Sequence, residues 1–324
     1  MMMKKLIFKT GLYVFLILIS MECIVRISYL SKDNPTRFVD KFKVEKWVPN
    51  QEGYSVTGNR RQNFTKYHIN KSGFNSYREF NPKKNRVEVA LVGDSFIEGF
   101  HQPYYNSIGY KIENKIDDIE VYEYGYAGYD LADQLHMIDV YKPTFNLIDY
   151  VFIGVRFEND LLRGEYKVIS DRMKFESPIY KNLRKSKLIV YSQNIGILDP
   201  IRNLAGRLSS VGKEKTNTNR VSIIKTPDKI KKMHLKYIDN FKKLVNIYGF
   251  DKERFVLLID ENKTPVIFLD YLKNNNYKYV DFSSTINSSK KPTTLIYDKH
   301  WNNHGRNLIA NLISDYILKK LNKM

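Results

Sequence analysis

The sequence predicts an α/β domain built on a mostly parallel sheet with helices on both sides, and three observations carry that expectation. Val87 to Phe100, VEVALVGDSFIEGF, opens on an apolar, β-branched run with the length and composition of a strand buried on both faces, then breaks at Gly93-Asp94-Ser95. A second run of the same kind, DYVFIGV, covers Asp149 to Val155. Around and after these two, strand-like and helix-like segments alternate at the spacing that βαβ units require.

Taken in order, Met1 to Leu30 reads as a membrane element. Lys4, Lys5 and Lys9 precede an apolar stretch from Leu12 to Val25, interrupted by Ser20 and Glu22 and closed by Arg26. That core is short against the roughly 17–25 residues a spanning helix needs. Extension from Leu6 to Leu30, with Lys9 and Arg26 snorkelling, gives a span. A secretory signal shares the positive start and short apolar core, but no small-x-small cleavage site follows, so a retained anchor is the expectation. The leading lysines argue for a cytoplasmic amino terminus and an exported body, on the periplasmic or extracellular face. Cys23, the single cysteine, follows Met21-Glu22 where lipid attachment needs a small residue, and reads as an apolar filler. Glu22 and Arg26 stand one helical turn apart and are placed to pair.

Residues 31–85 are polar and turn-rich, with Asn-Pro at 34–35 and 81–82, and read as a linker or N-terminal extension with one short strand near Tyr67–Asn70. After the opening strand the pattern predicts a helix over Asn106–Ile116, a strand over Glu120–Tyr124, a helix over Leu131–Tyr141 and the strand at Asp149–Val155. Further on it predicts a long amphipathic helix over Lys229–Ile247, a strand over Phe255–Ile259, a helix over Pro265–Asn274 and a strand over Tyr277–Phe282. The last helix, about Arg306 to Leu321, spaces Leu308, Ile309, Leu312, Ile313 and Tyr316 for one buried face. The expected organisation is an anchor over 1–30, an extension over 31–85 and one domain over 86–324. Within that domain, 161–226 is a basic, poorly periodic insertion over the sheet's carboxyl edge, either a lid or a plain surface excursion.

Charge narrows the partners. The chain carries 53 Lys and Arg against 35 Asp and Glu, a net +18, and residues 161–250 alone hold 20 against 7. Nucleic acid is the first partner such a balance brings to mind. No helix-turn-helix, zinc-ligand spacing or RNP-like aromatic motif accompanies it, so no nucleic acid is expected, and such charge is either simply solvated or faces anionic lipid or glycan. Hydrophobic content of 43% with 27% charged residues is globular, and one cysteine excludes an internal disulfide framework.

An acyl-transfer site needs a nucleophile, a base, a group orienting that base, and donors for the developing oxyanion. Ser95 follows a buried strand, where open α/β sheets place their ligands and rigid backbone holds a hydroxyl toward a crevice. Gly-Asp-Ser also fits an ordinary strand-ending turn. Among the histidines, His68, His101, His136, His234, His300 and His304, only His300 sits in a loop with a carboxylate at short spacing, Tyr297-Asp298-Lys299-His300-Trp301-Asn302. Residues two apart in an extended loop point the same way. Asp298 is therefore placed to hold the Nδ1–H of His300 while Nε2 faces Ser95. His304 competes as base without a nearby carboxylate, and His136 falls inside a helix and reads as packing. For the oxyanion, Gly128 follows the strand ending at Tyr124 and Asn159 the strand ending near Val155; a glycine N–H and an Asn amide are both suitable donors.

Four segments in one order then resemble the SGNH, or GDSL-type, hydrolase superfamily. Gly93-Asp94-Ser95-Phe96 looks like its first block, with Ser95 as nucleophile and Gly93 and Asp94 in support. Gly128 looks like the glycine of the second block, and Asn159-Asp160 like the asparagine block. Asp298-Lys299-His300-Trp301-Asn302, with Gly305 after it, looks like the last. The resemblance covers roughly residues 86–320. It implies a three-layer α/β/α fold on a five-stranded flavodoxin-like sheet, no metal or other cofactor, and hydrolysis or transfer of ester-linked acyl groups. Ser95, Gly128 and Asn159 then form the oxyanion hole. Two departures stand out: Asp and His lie two apart rather than three, as in the membrane-linked and glycan-acetylating branches, and Arg156-Phe157-Glu158 precede Asn159 where a glycine is usual.

The expectation is a membrane-anchored serine esterase acting on an acylated cell-surface glycan. An O-acyltransferase using the same residues is the nearest alternative, and a non-catalytic glycan-binding or assembly protein on the same fold is the alternative of another class.

Overall fold

The computed structural model describes residues 2–58, 61–200 and 227–322. Along the chain, α1 (Met2–Ile27) precedes two small ribbons, β1 (Arg37–Val39) paired with β2 (Glu45–Trp47), and β3 (Glu52–Thr57) paired with β4 (Asn63–His68). The core elements follow: β5 (Val87–Gly93), α2 (Ser95–Glu98), α3 (Ile108–Glu113), β6 (Ile119–Gly125), α4 (Leu131–Val140), α5 (Lys142–Phe145), β7 (Tyr150–Gly154) and α6 (Phe157–Asp160). After α7 (Ser170–Met173), α8 (Pro178–Lys185) and α9 (Lys187–Asn194) come α10 (Pro227–Tyr248), β8 (Phe255–Ile259), α11 (Val266–Asn274), β9 (Tyr279–Asp281), α12 (Ser283–Asn287) and α13 (Asn303–Leu321).

Five strands form one sheet in the order β6-β5-β7-β8-β9, and every neighbouring pair is parallel. This is the 2-1-3-4-5 order of flavodoxin-like sheets, with the chain turning to opposite sides of β5. The alternation of strand side chains explains the layers. Ala90, Val92, Val151, Ile153, Leu257 and Ile259 share one apolar cluster with Leu135 of α4, Phe241 and Leu244 of α10, and Phe268 and Leu272 of α11. Val89, Leu91, Phe152, Val256 and Leu258 share the other with Ile108 and Ile112 of α3 and Ile309, Ile313 and Ile317 of α13. Both faces of β5 are therefore covered, as its unbroken apolar run requires. The strands and long helices lie within a few residues of their expected positions. The strand expected near Tyr67–Asn70 begins four residues earlier, as β4, and the helix expected over Asn106–Ile116 contracts to α3 behind a short 3-10 turn at Tyr104–Asn106.

The chain packs into two compact units whose boundaries differ from the contiguous ones read from the sequence. Residues 35–52, 65–169 and the described part of 224–324 form the sheet unit. The stretch expected as a linker is thus largely part of that domain: Val44, Trp47, Tyr67, Ile69 and Phe74 are buried in its core. Apart from Tyr67 and Ile69, which alternate as the one short strand read there, these apolar side chains are separated by polar turn residues, so the sequence reads as linker although the side chains are core.

Residues 2–34, 53–58, 61–64 and 170–200 belong to the other unit. Tyr29, Tyr54 and Phe64 pack edge-on and stacked there, with Arg61 4.1 Å above the Phe64 ring. The insertion expected over 161–226 is accordingly divided. Leu161 is buried in the sheet unit and Arg163 pairs there with Asp130 and Asp133, whereas 170–200 cluster with α1; residues 201–226 lie outside the described ones.

Candidate active site

The site is assembled at the carboxyl end of β5. Gly93 ends the strand because α2 closes back on it: a Cβ at Gly93 would come 2.6 Å from Ile97, and one at Gly125 would come 2.1 Å from the Glu98 backbone nitrogen. Asp94 caps the one-turn α2, its carboxylate accepting the Phe96 N–H at 3.0 Å. Gly99 ends the turn at φ +71°, in the left-handed region that favours glycine. Ser95 is thereby fixed as the first residue of α2, and the fully buried Arg306 of α13 holds the turn from behind by donating to the Phe96 carbonyl at 3.2 Å.

The late loop reaches the same place. Thr294 and Trp301 bridge across it, and Asn302 caps α13 by accepting the Gly305 N–H at 2.9 Å. Trp301 is buried between Phe96 and Phe282, with ring centroids at 4.8 and 5.4 Å, which anchors the loop beside α2. Asp298 Oδ1 accepts the His300 backbone N–H at 3.0 Å and also its Nδ1–H. His300 Nε2 stands 2.7 Å from Ser95 Oγ. With Nδ1 committed as donor, Nε2 is the acceptor for the hydroxyl proton. Ser95, His300 and Asp298 are therefore joined in one hydrogen-bonded line.

A fourth group completes it. His101, six residues after the serine, places Nε2 3.1 Å from Asp298 Oδ2 and stacks on His300 at 4.0 Å with 14° between the rings. One carboxylate thus carries an imidazole on each oxygen. Partial burial pushes Asp298 up, but the His300 side-chain and backbone hydrogen bonds and the fields of His101 and His300 outweigh it, holding the carboxyl below its usual range. Sequence reasoning missed His101, whose partner lies far along the chain. His101, Asp298 and His300 also form the group of described residues whose donor atoms, within 4.8 Å of one another, have the composition of a metal site. Here those atoms are turned onto each other, and the hydrogen bonds account for the cluster.

The remaining expected residues lie at neighbouring strand ends. Gly128 follows β6 at φ +88°, a conformation that suits glycine. Asn159 lies in α6 after β7, and its exposed side chain makes no hydrogen bond among the described residues. Asp94 also pairs with the Arg156 guanidinium, which lies 5.6 Å over the Phe96 ring. His304 turns away from the serine, its Nε2 2.9 Å from Ser289 Oγ. His136 stacks on Tyr166 at 3.9 Å.

Two buried carboxyls back the site. Burial pushes Glu98 up to about 7 against the Trp47 indole N–H, 2.7 Å from Oε1, and the Ala127 N–H. Burial likewise pushes Asp160 up to about 7 although it accepts the Arg156 N–H at 2.7 Å. A carboxyl whose folded pKa is raised holds its proton where the unfolded chain has released it, so it costs stability as pH rises from about 4.5 to 7. Glu98→Gln keeps the acceptor for Trp47 and removes the titration. Its melting temperature is expected to gain on wild type across that interval; a difference independent of pH would contradict the raised pKa.

No protein-family model matches the chain, and no curated protein does. Solved structures do. A psychrotrophic esterase EstA from Pseudoalteromonas sp., in a structure inhibited by monoethylphosphonate, is 14% identical over 72% of this chain and 98% of its own, with a TM-score of 0.41. A lipase/acylhydrolase from Enterococcus faecalis is 10% identical over 72% and 96%, with a TM-score of 0.39. A member of the lipolytic G-D-S-L family from Veillonella parvula is 13% identical over 71% and 97%, with a TM-score of 0.38, so an esterase, a lipase/acylhydrolase and a lipolytic protein are among the solved structures this chain is similar to.

Proposed function

We propose that this chain is a serine ester hydrolase held at a membrane by α1. The observation that carries the reading is the 2.7 Å contact between Ser95 Oγ and an imidazole whose other nitrogen is bound to a carboxylate. In the proposed reaction Ser95 Oγ attacks the ester carbonyl carbon while His300 Nε2 takes the hydroxyl proton. Asp298 keeps Nδ1 protonated and stabilises the imidazolium that forms. The Ser95 and Gly128 N–H groups and the Asn159 amide hold the tetrahedral oxyanion, each donor worth about a hundred- to a thousandfold in rate. His300 then returns the proton to the leaving alkoxide, giving the alcohol and an acyl-Ser95 ester. Water attacks that ester with His300 again as base, releasing the acid and restoring the hydroxyl.

The substrate class we assign is an acylated glycan of the cell surface. The anchor, the expected export of the body and the net charge of +18 support it, since a basic body at a membrane face meets anionic surface polymer. The spacing Asp298-x-His300 favours a second reading, in which a sugar hydroxyl replaces water in the last step. The full chain in nanodiscs, assayed with an aryl acetate with and without O-deacetylated surface glycan, separates the two. Acid release unaffected by the glycan is expected for the hydrolase, and acetyl recovered on the glycan for the transferase. No turnover and no labelling of Ser95 by a fluorophosphonate would leave a non-catalytic protein.

His101 is assigned a positioning role in this scheme: its hydrogen bond and stacked ring fix the carboxylate that in turn orients His300. His101→Phe keeps a ring and loses the donor to a charged acceptor, and is expected to lower kcat by about ten- to a hundredfold with KM unchanged. His101→Gln, which restores a donor, is expected to recover part of the loss. Equal kcat in both variants and wild type would remove the role.

A further inference from the structure

Glu22 sits in the last turns of α1, inside the stretch apolar enough to cross a membrane. A carboxylate at that depth is costly unless its oxygens are satisfied. Here they are. The backbone N–H groups of Lys187 and Leu188 donate to it at 2.9 and 2.8 Å, Ser186 Oγ donates at 2.9 Å, and Arg26 Nε donates at 2.7 Å. Arg26 also donates through Nη2 to the Lys185 carbonyl at 2.6 Å. The elbow between α8 and α9 is therefore fastened to the level of Glu22 and Arg26, and whatever lies at the end of α1 lies there too. Lys187 adds an ion pair to Asp33, just past the helix.

The helix that enters this elbow is two-faced. On α8, Ile179, Tyr180 and Leu183 fall within one arc and are 72%, 45% and 42% exposed, with Phe175 of the preceding turn packed edge-on to Tyr180. Lys181 and Lys185 fall on the opposite arc, and from Pro178 to Asn194 the chain holds Lys181, Arg184, Lys185 and Lys187 and no acidic residue. An apolar face backed by cations is the pattern of a helix lying in the plane of a membrane interface. Cations so placed favour an anionic leaflet, Lys181 and Arg184 while also lying 3.8 and 3.6 Å from Glu176 of the preceding turn.

We propose that α8 and the elbow into α9 form an interfacial pad, with Phe175, Ile179, Tyr180 and Leu183 seated in the headgroup–acyl boundary of an anionic bilayer and held at that depth by Glu22. The inference rests on α1 as a retained span and makes no use of the chemistry at Ser95. A pad of this kind limits how freely residues 170–200 tilt about the single anchoring helix.

The test uses the full chain carrying Cys23→Ala, so that one introduced cysteine at a time takes a bimane label, in nanodiscs of phosphatidylcholine and phosphatidylglycerol with or without doxyl-labelled lipid. Bimane at Ile179→Cys is expected to shift to the blue and lose intensity to the doxyl lipid. Bimane at Lys181→Cys is expected to do neither. Adding Glu22→Ala should abolish the quenching at 179 while the chain stays in the disc; unchanged quenching would overturn the role of Glu22. Bimane at 179 that is unquenched, or blue-shifted but unquenched as against a protein partner, overturns the pad, and equal quenching at 179 and 181 overturns its two-faced seating. Carbonate extraction and intact mass read the anchor separately. A chain that is extracted or shortened fails the anchor and the pad with it, and a retained chain with 179 unquenched fails the pad alone.

Discussion

Ser95→Ala is expected to lower ester turnover by about a million-fold, His300→Ala by about as much, and the double variant by no more than either. The reason lies in how the two groups share one step. Without the hydroxyl the imidazole has no nucleophile to deprotonate, and without the imidazole the hydroxyl keeps its proton, so each deletion removes the same covalent route. What remains is binding and oxyanion stabilisation, worth about a thousand- to ten-thousandfold over water. The variants should fold, because Ser95 is not a core residue and α2 is held by Asp94, Gly99 and Arg306 rather than by the hydroxyl. Steady-state kinetics on an aryl acetate measure the loss, and fluorophosphonate labelling should vanish in Ser95→Ala. Additive losses in the double variant would mean that the two side chains act in separate steps and would break the scheme.

Much of this site is legible in the sequence because each part announces itself locally. Ser95 ends an apolar β-branched run, and His300 has its carboxylate two residues away, so both the strand edge and the Asp–His pair follow from short-range rules. The pairing of Asp298 with His101 does not, because 197 positions separate them and no local period links them. The same holds for the N-terminal extension. Trp47 looks like an isolated aromatic among turn residues, and only the fold shows its indole N–H on Glu98 beneath the serine's helix. Residues 170–200 read as part of the sheet domain's insertion because they lie between two of its strands in the sequence. Their true neighbour is α1, through Glu22, a contact across more than 160 residues that composition cannot encode. Sequence thus carries the chemistry that sits at strand ends and loses the supporting contacts that join distant segments.

Asp298→Asn is the sharper probe of the proposed chemistry, and a fall in kcat of about ten-thousandfold is expected from it. An asparagine is nearly the same shape, so the loop anchored by Trp301 and Asn302 has no steric reason to move. The amide differs in charge and in what its two ends offer. Asp298 accepts from His300 on one oxygen and from His101 on the other, whereas an amide can accept at one end only. If its NH2 faces His300, the ring flips to the tautomer that carries the proton on Nε2, and the base can no longer take one from Ser95. If its oxygen faces His300, the imidazolium formed during attack loses the negative charge beside it. Stability should respond far less, and with a defined sign. Asp298 is held below the usual carboxylate range, so it favours the folded state above its unfolded pKa, and that favour fades as pH falls through the folded one. The melting temperature of Asp298→Asn should therefore trail wild type slightly at neutral pH and converge with it in acid, while the kinetic loss persists at every pH where wild type is active. A kinetic loss that tracked the melting temperature would assign Asp298 to the fold alone and leave His300 without an orienting partner.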